Sequence, residues 1–282
     1  MTLQSDTAAP GLRVALTGAA GAIGVVLRPG LIAAGHHLRS HDLRPLTPLQ
    51  PGEAVVQGDL RDPSVVDQVL AGIDVAVHMA GTSVERPLDE IIENNLRALA
   101  ALYEGACRHG VRRVVFASSN HAFGMHPAGK TLGLEAPYRP DGLYGLSKSW
   151  GESMSRLYWD KHGIEGVSLR IGSALPEPVE VRHLSTWLGH RDLLALVRRG
   201  IEAPEVGCLA VWGVSNNARR WWDNAGSERL GYRPVQDAED YAAAIEAART
   251  PVDPVAARYQ GGSFASHGLQ PRTARETEPT HG

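Results

Sequence analysis

Leu12-Arg13-Val14-Ala15-Leu16-Thr17-Gly18-Ala19-Ala20-Gly21-Ala22-Ile23-Gly24 runs from a short apolar stretch into three glycines set three apart. Residues 12–17 read as a buried strand, and the apolar stretch from Gly24 to about Ala34 reads as a helix. Strand, glycine turn and helix in that order form the context of a dinucleotide-binding fingerprint. Gly18 allows the tight turn. Gly21 lets a pyrophosphate approach the backbone amides at the helix N-terminus, and Gly24 lets helix and strand pack closely. Pro29-Gly30 predicts a shortened or bent helix, because an interior proline forfeits a hydrogen bond. A glycine-rich turn in an unrelated α/β protein would share the pattern.

The neighbouring segments extend the reading. His36 to His41 is the next expected strand, and Asp42 ends it. An acid there can accept hydrogen bonds from both adenosine ribose hydroxyls and repel a 2′-phosphate, which favours NAD over NADP. Arg44 offers partial compensation for a phosphate, and Asp42 could instead cap a turn. Val55 to Gly58 is strand three. Asp59 then stands either where it can meet the adenine amino group or as the cap of a helix starting near Pro63. Val75 to Met79 is strand four, and the small pair Ala80-Gly81 lets a cofactor lie close to the backbone. Alternating strands and helices predict an α/β, doubly wound parallel sheet, the Rossmann fold.

Ile91 to Gly105 reads as one long helix with Asn94 and Asn95 near its start. Val114 to Ala117 is strand five, followed by Ser118-Ser119-Asn120-His121 at the strand end, where α/β sites form. Tyr144 and Lys148 are four residues apart, so on a helix they share one face. An ammonium beside a phenol lowers its pKa from about 10, which makes Tyr144 a candidate base for an alcohol proton, with a Ser118 or Ser119 hydroxyl holding the same oxygen. A surface helix with a snorkelling lysine is the plain alternative. The helix runs to about His162, with Trp150, Met154, Leu157 and Tyr158 as its core face. Val167 to Ile171 is strand six. Gly-x-Ser-x-Gly is absent, which argues against a serine hydrolase.

The chain has 282 residues, 43% apolar and 21% charged, with a formal net charge of −3. No basic block points to nucleic acid, and no apolar run reaches the ~18 residues of a membrane span. Cys107 and Cys208 read as small core residues, no metal-ligand spacing occurs, and the first ten residues lack signal-peptide character. A cytoplasmic protein is expected. In the back third, prolines become frequent after Ala174. Leu193 to Arg199 reads as helix, Leu209 to Trp212 as strand, and Trp221 to Asn224 as an aromatic turn. Arg182 is either an anion clamp or a surface arginine. The expected division is 11–174 as the NAD-binding core, 175–264 as a mainly substrate-binding region packing partly on that core, and 265–282 as a flexible tail.

The chain resembles the extended short-chain dehydrogenase/reductases and, within them, the uronate dehydrogenases, over residues 12 to 265. The broad pattern is Thr17 to Gly24 with Tyr144 and Lys148. The narrower one adds Gly81-Thr82-Ser83-Val84-Glu85-Arg86-Pro87, Ala117 to His121, Arg139 to Gly145, Arg170 to Ser173, Leu184 to Trp187, Val211 to Gly213, Trp221 to Asn224 and Arg258 to Phe264. Ala80-Gly81 stands where the family often has two glycines, and the Glu177 to Val181 loop differs, which leaves glucuronate against galacturonate open. The resemblance implies Tyr144 as base, Lys148 as its electrostatic partner, Ser119 as holder of the substrate hydroxyl and Asn95 as support for the lysine through a water and a helix bend. It implies Ser83, Asn120, His121, Ser173 and Arg182 as substrate contacts, with Arg182 on the carboxylate. NAD would be held by Gly18, Ala20, Gly21, Ala22, Ile23, Gly24, Asp42, Asp59, Leu60, Ala80, Gly81, Asn95, Ser118, Tyr144, Lys148 and Ile171. The implied reaction is oxidation of the anomeric carbon of a hexuronate to an aldarolactone, by a homo-oligomer. A nucleotide-sugar epimerase, a dehydrogenase of another aldose or sugar acid and an NAD-binding redox sensor are the rival readings.

Overall fold

In chain order the elements are β1 (Arg13–Thr17), α1 (Ala22–Ala33), β2 (His37–Asp42), β3 (Ala54–Gln57), α2 (Pro63–Leu70), β4 (Val75–His78) and α3 (Leu88–Ile91). A π-helical turn (Ile92–Arg97), α4 (Ala98–His109), β5 (Arg113–Ser119), α5 (Leu143–His162), β6 (Glu165–Ile171) and β7 (Ser173–Ala174) follow. The last are α6 (His183–Thr186), β8 (Trp187–Leu188), α7 (His190–Glu202), β9 (Cys208–Gly213), α8 (Ala242–Ala247) and α9 (Ser263–Ser266). The computed structural model describes residues 11–248 and 253–268, so the first ten residues and 269–282 of the expected tail lie outside the described residues.

Seven parallel strands make one sheet in the order β3-β2-β1-β4-β5-β6-β9. The order reverses between β1 and β4, which opens a crevice at their C-terminal ends. Both faces are covered, so the strands carry apolar residues on both sides. Val14, Leu16, Val75, Val77 and Val115 meet α1 and α7 through Leu27, Leu31, Leu193 and Leu196. Ala15, Ala76, Val114 and Phe116 meet α2 and α4 on the other face. β9 comes from the back third and pairs with β6 from Gly166–Cys208 to Ile171–Gly213, so the sheet draws on residues beyond 174. Among the described residues no helix is long and apolar enough to cross a membrane.

Several expectations change. α1 runs unbroken through Pro29 to Ala33. Pro29 and Val25 both lie on the exposed face, so solvent can take the Val25 carbonyl that a fourth-residue amide would have bonded. Gly30 has its own reason, since a Cβ there would lie 2.4 Å from Leu194 Cδ2 of α7. Asp62, not Asp59, caps α2, accepting from Ser64 N at 2.8 Å. The helix expected from Ile91 to Gly105 continues to His109 and widens into a π turn at residues 92–97, around the Asn95 where the resemblance implies a bend. Cys107 is exposed, because α4 buries Leu102, Tyr103 and Ala106 and turns Cys107 outward. Leu157 is likewise exposed at the edge of the stripe that runs through Trp150, Met154 and Tyr158.

Candidate active site

Two cavities share Gly18, Gly21, Met79, Gly81 and Thr82 along the crevice, one of about 260 Å³ toward β2 and one of about 500 Å³ toward β5 and β6. Of the residues expected to bind, all but Ala20, Asn95 and Arg182 line one or the other.

The β2 end is built around a carboxylate. Asp42 Oδ2 accepts from Ala20 N at 2.9 Å, and Oδ1 accepts from Arg44 N at 3.0 Å and Arg44 Nε at 3.3 Å. Ala20 therefore acts by fixing Asp42 rather than by facing the cavity. Asp59 shares this wall, where the Arg61 guanidinium holds its carboxyl below the usual range, and Arg61 also pairs with Glu93 at 2.8 Å. Between the cavities stands the N-terminus of α1. Gly21 is its N-cap, and no side chain caps it. Bare helix-start amides, a carboxylate at the end of β2 and a continuous crevice between them fit a dinucleotide.

Helix α5 starts at this crevice. Gly142, the N-cap of α5, has no side chain, and the amides of Leu143 and Tyr144 are bound instead by Glu85 Oε1 and Oε2 at 2.9 and 3.0 Å. Glu85 thereby ties the Ser83 loop to the helix that carries Tyr144 and Lys148. Asn95 sits in the π turn, accepts from Thr82 N at 2.7 Å and donates to Ser147 Oγ at 2.9 Å. Its contacts are with the loop and with α5, one residue from Lys148. Lys148 Nζ donates to Ala117 O at 2.8 Å and lies 5.5 Å from the Tyr144 ring centroid.

Electrostatics differ from the simple expectation. Tyr144 is pushed up to about 12, chiefly by burial, with Asp141 adding to the rise and the Ser119 hydroxyl drawing it back. Burial lowers Lys148 to about 8. The ammonium points at Ala117 O, so in this geometry desolvation of a phenolate outweighs the attraction that a spacing of four implies. His78 beneath them is held to about 3, mainly by burial and then by Lys148, and exchanges a 2.8 Å hydrogen bond with Thr17 Oγ1. Lys148 is thus the cation of the crevice floor at neutral pH.

The larger cavity carries the polar residues past β5 and β6. His121 Nδ1 lies 2.7 Å from the buried carboxylate of Asp141, and its ring stacks on Phe264 at 4.0 Å. With its amide oriented to satisfy both ends, Asn120 donates to Ile171 O at 3.0 Å and accepts from Arg182 Nη2 at 2.9 Å. Arg182 Nη1 donates to Ser173 Oγ at 3.2 Å, while Nε and Nη2 donate to Gln260 O at 2.8 and 2.6 Å. Arg182 therefore stands one layer behind the wall formed by Ser173 and Asn120. No carboxylate lies within 4 Å of this half-buried guanidinium among the described residues, so its hydrogen bonds go to neutral oxygens.

The sequence reading assigned no role to Glu85, Asp141, Gln260 or Phe264. All four lie inside segments that carry the family resemblance. Their partners are 20 to 143 residues away (His121 for Asp141, Phe264 for His121), beyond the reach of local spacing.

The model of the NAD dependent epimerase/dehydratase family matches residues 14–253. A uronate dehydrogenase of Pseudomonas syringae pv. tomato is 44% identical over 270 residues, covering 95% of this chain and 98% of that protein. A variant of uronate dehydrogenase from Agrobacterium tumefaciens, solved in complex with NAD, superposes with a TM-score of 0.87 at 45% identity over 90% of this chain and 97% of that one. A glucuronic acid dehydrogenase of Chromohalobacter salexigens gives 0.88 at 40% identity over 91% and 97%.

Proposed function

Because this chain belongs to the NAD-dependent epimerase/dehydratase family and, within it, to the uronate dehydrogenases, we propose that it oxidises the anomeric carbon of a hexuronic acid with NAD to give the aldarolactone. The substrate is the cyclic β-pyranose of glucuronate or galacturonate. Residues 11–174 mainly hold the cofactor and 175–264 mainly complete the sugar side, a reading supported by Asp42 at one end of the crevice and by Arg182 and Phe264 at the other.

NAD, when bound, supplies the hydride-accepting carbon and the positive charge of its oxidised ring. Gly18, Gly21 and the first amides of α1 would hold its diphosphate, Asp42 its adenosine ribose and Lys148 its nicotinamide ribose. Tyr144 takes the proton of the sugar C1 hydroxyl at its phenol oxygen. Ser119 holds that same hydroxyl, so the oxygen is oriented before its proton moves. As the O–H bond breaks toward the Tyr144 phenolate and the C1–H bond breaks with its hydrogen leaving as hydride, C1 becomes the lactone carbonyl. Lys148 keeps a cation at the crevice floor, which favours the ionised phenol. Ser173, Asn120 and Arg182 behind them recognise the C6 carboxylate.

The observation that carries this reading is the pairing of a Tyr144–Ser119–Lys148 floor with a half-buried guanidinium that bonds Ser173, Asn120 and the Gln260 carbonyl and, among the described residues, no carboxylate. The test is NADH formation, followed by absorbance, with NAD and NADP against glucuronate, galacturonate, glucose and galactose. The reading expects net NADH with the two acids and poor turnover of the neutral sugars. Epimerisation without net NADH would end it.

A further inference from the structure

Arg258-Tyr259-Gln260-Gly261-Gly262-Ser263-Phe264 crosses the sugar side of the crevice as a strap. Gln260 is fully buried at its centre. Its side-chain carbonyl accepts from Trp222 Nε1 at 2.7 Å, and its amide donates to Pro127 O at 3.2 Å and Lys130 O at 2.7 Å. Its backbone N donates to His126 O at 2.9 Å, and its backbone O receives both Arg182 bonds. Every polar group of the residue is therefore used, and the partners come from three separate parts of the chain. The two glycines that follow make the approach close. A Cβ on Gly261 would lie 1.9 Å from Asp141 Oδ2, and one on Gly262, at φ +63°, would lie 2.9 Å from Arg182 Cδ. Without this strap the Arg182 guanidinium has Ser173 and Asn120 on one side and nothing to fix its plane on the other.

We propose that Gln260 is the positioning residue for acid recognition: its side chain seats the strap, and its main-chain carbonyl sets the plane of the Arg182 guanidinium against Ser173 and Asn120. The inference rests on the proposed uronate oxidation. Gln260 lines neither cavity of the crevice and acts through Arg182. A purely structural residue would depress all substrates and cofactor binding together. A positioning residue for Arg182 changes the ratio between acidic and neutral sugars.

The test compares the full chain with its Gln260→Ala, Arg182→Ala and double variants, using galacturonate and galactose, and measures NADH affinity separately by fluorescence. Gln260→Ala is expected to lower the acid-to-neutral ratio of kcat/KM by up to about 100-fold, mostly through KM for the acid, as misplacement of a binding group can do. NADH affinity should stay within about twofold, and the double variant should lie within about twofold of Arg182→Ala, since the two substitutions remove one interaction. Gly262→Ala, which pushes directly on Arg182 Cδ, should lower the same ratio and serves if Gln260→Ala does not fold. An unchanged ratio, a parallel loss of NADH affinity or additive losses in the double variant would overturn the inference. Wild-type protein without a preference for the acid would overturn the proposed function and this inference with it. A preference kept by both Gln260→Ala and Gly262→Ala would overturn the inference alone.

Discussion

Lys148 and Tyr144 are held in opposite protonation tension by one cause, burial. The ammonium is lowered from 10.5 to about 8 and the phenol is raised from 10.0 to about 12. For Lys148 the folded pKa is below the unfolded one, so between about pH 8 and 10.5 the unfolded chain binds more protons and stability rises with pH. Below pH 8 the full cost of the buried charge is present, on the order of 3 kcal/mol. Lys148→Met should remove that cost. Its melting temperature at pH 7 is expected to exceed wild type by a few degrees, at about 2–4 °C per kcal/mol, less what the lost bond to Ala117 O returns. The gain should shrink at pH 10, while turnover falls about 10²–10⁴-fold. Thermal melts at the two pH values check the sign, and a less stable variant at pH 7 would refute it. Tyr144→Phe should show a turnover loss of the same order, about 10²–10⁴-fold, with NADH affinity retained, since only the proton acceptor is gone. The Tyr-x-x-x-Lys spacing was legible in the sequence because four residues on a helix fix a shared face. The direction of the Tyr144 shift was not, because it depends on how much of the crevice closes over the ring. The α2 cap shows the same limit at smaller range: Asp59 and Asp62 both precede Pro63, and only the backbone decides that Asp62 faces Ser64.

Helix α5 shows how an element is positioned by a residue far from it in sequence. Its first amides have no local cap, because Gly142 leaves room for Glu85, whose Oε2 would lie 2.4 Å from a Cβ at that position. A carboxylate at a helix start is favoured by the helix dipole as well as by hydrogen bonding. Glu85→Ala is expected to cost about 1–2 kcal/mol in urea denaturation at constant m-value, and Glu85→Gln about half of that. Because Glu85 shares its loop with Ser83, the Ala variant should also raise KM for the sugar. Full stability in Glu85→Ala would show that water replaces the carboxylate at no cost. The length of α5 and its stop near His162 followed from apolar spacing, and so did the strands on either side. The π turn around Asn95 did not, since Asn95 bonds Thr82 and Ser147, partners that come together only in the folded chain. Periodicity finds a helix but not the one turn at which it widens.

At the scale of the molecule, the crevice gathers its residues from Gly18 to Phe264. The half built on the fingerprint was readable because glycine turn, strand end and acid follow one another closely. The sugar half was readable mainly through family resemblance, since its geometry comes from β6, β9, the Trp212–Trp222 stack and the strap, elements that touch only after folding. A site shared by the whole sheet couples ligand binding to global stability. Cofactor at about 100 times its Kd adds about 2.7 kcal/mol to the folded state. For a domain of this size that raises the melting temperature by about 5–10 °C. NAD should produce that shift and NADP much less, because the Asp42 carboxylate repels a 2′-phosphate and draws the Arg44 guanidinium to itself through Nε at 3.3 Å. Asp42→Ala both removes the ribose acceptor and releases Arg44, whose side chain is largely exposed. The NAD shift should therefore shrink and the NADP shift grow in that variant. Thermal shift with both cofactors on wild type, Asp42→Ala and Asp42→Ala/Arg44→Ala separates the two effects. If the double variant keeps the new NADP response, Arg44 is not its source, and discrimination rests on Asp42 repulsion alone.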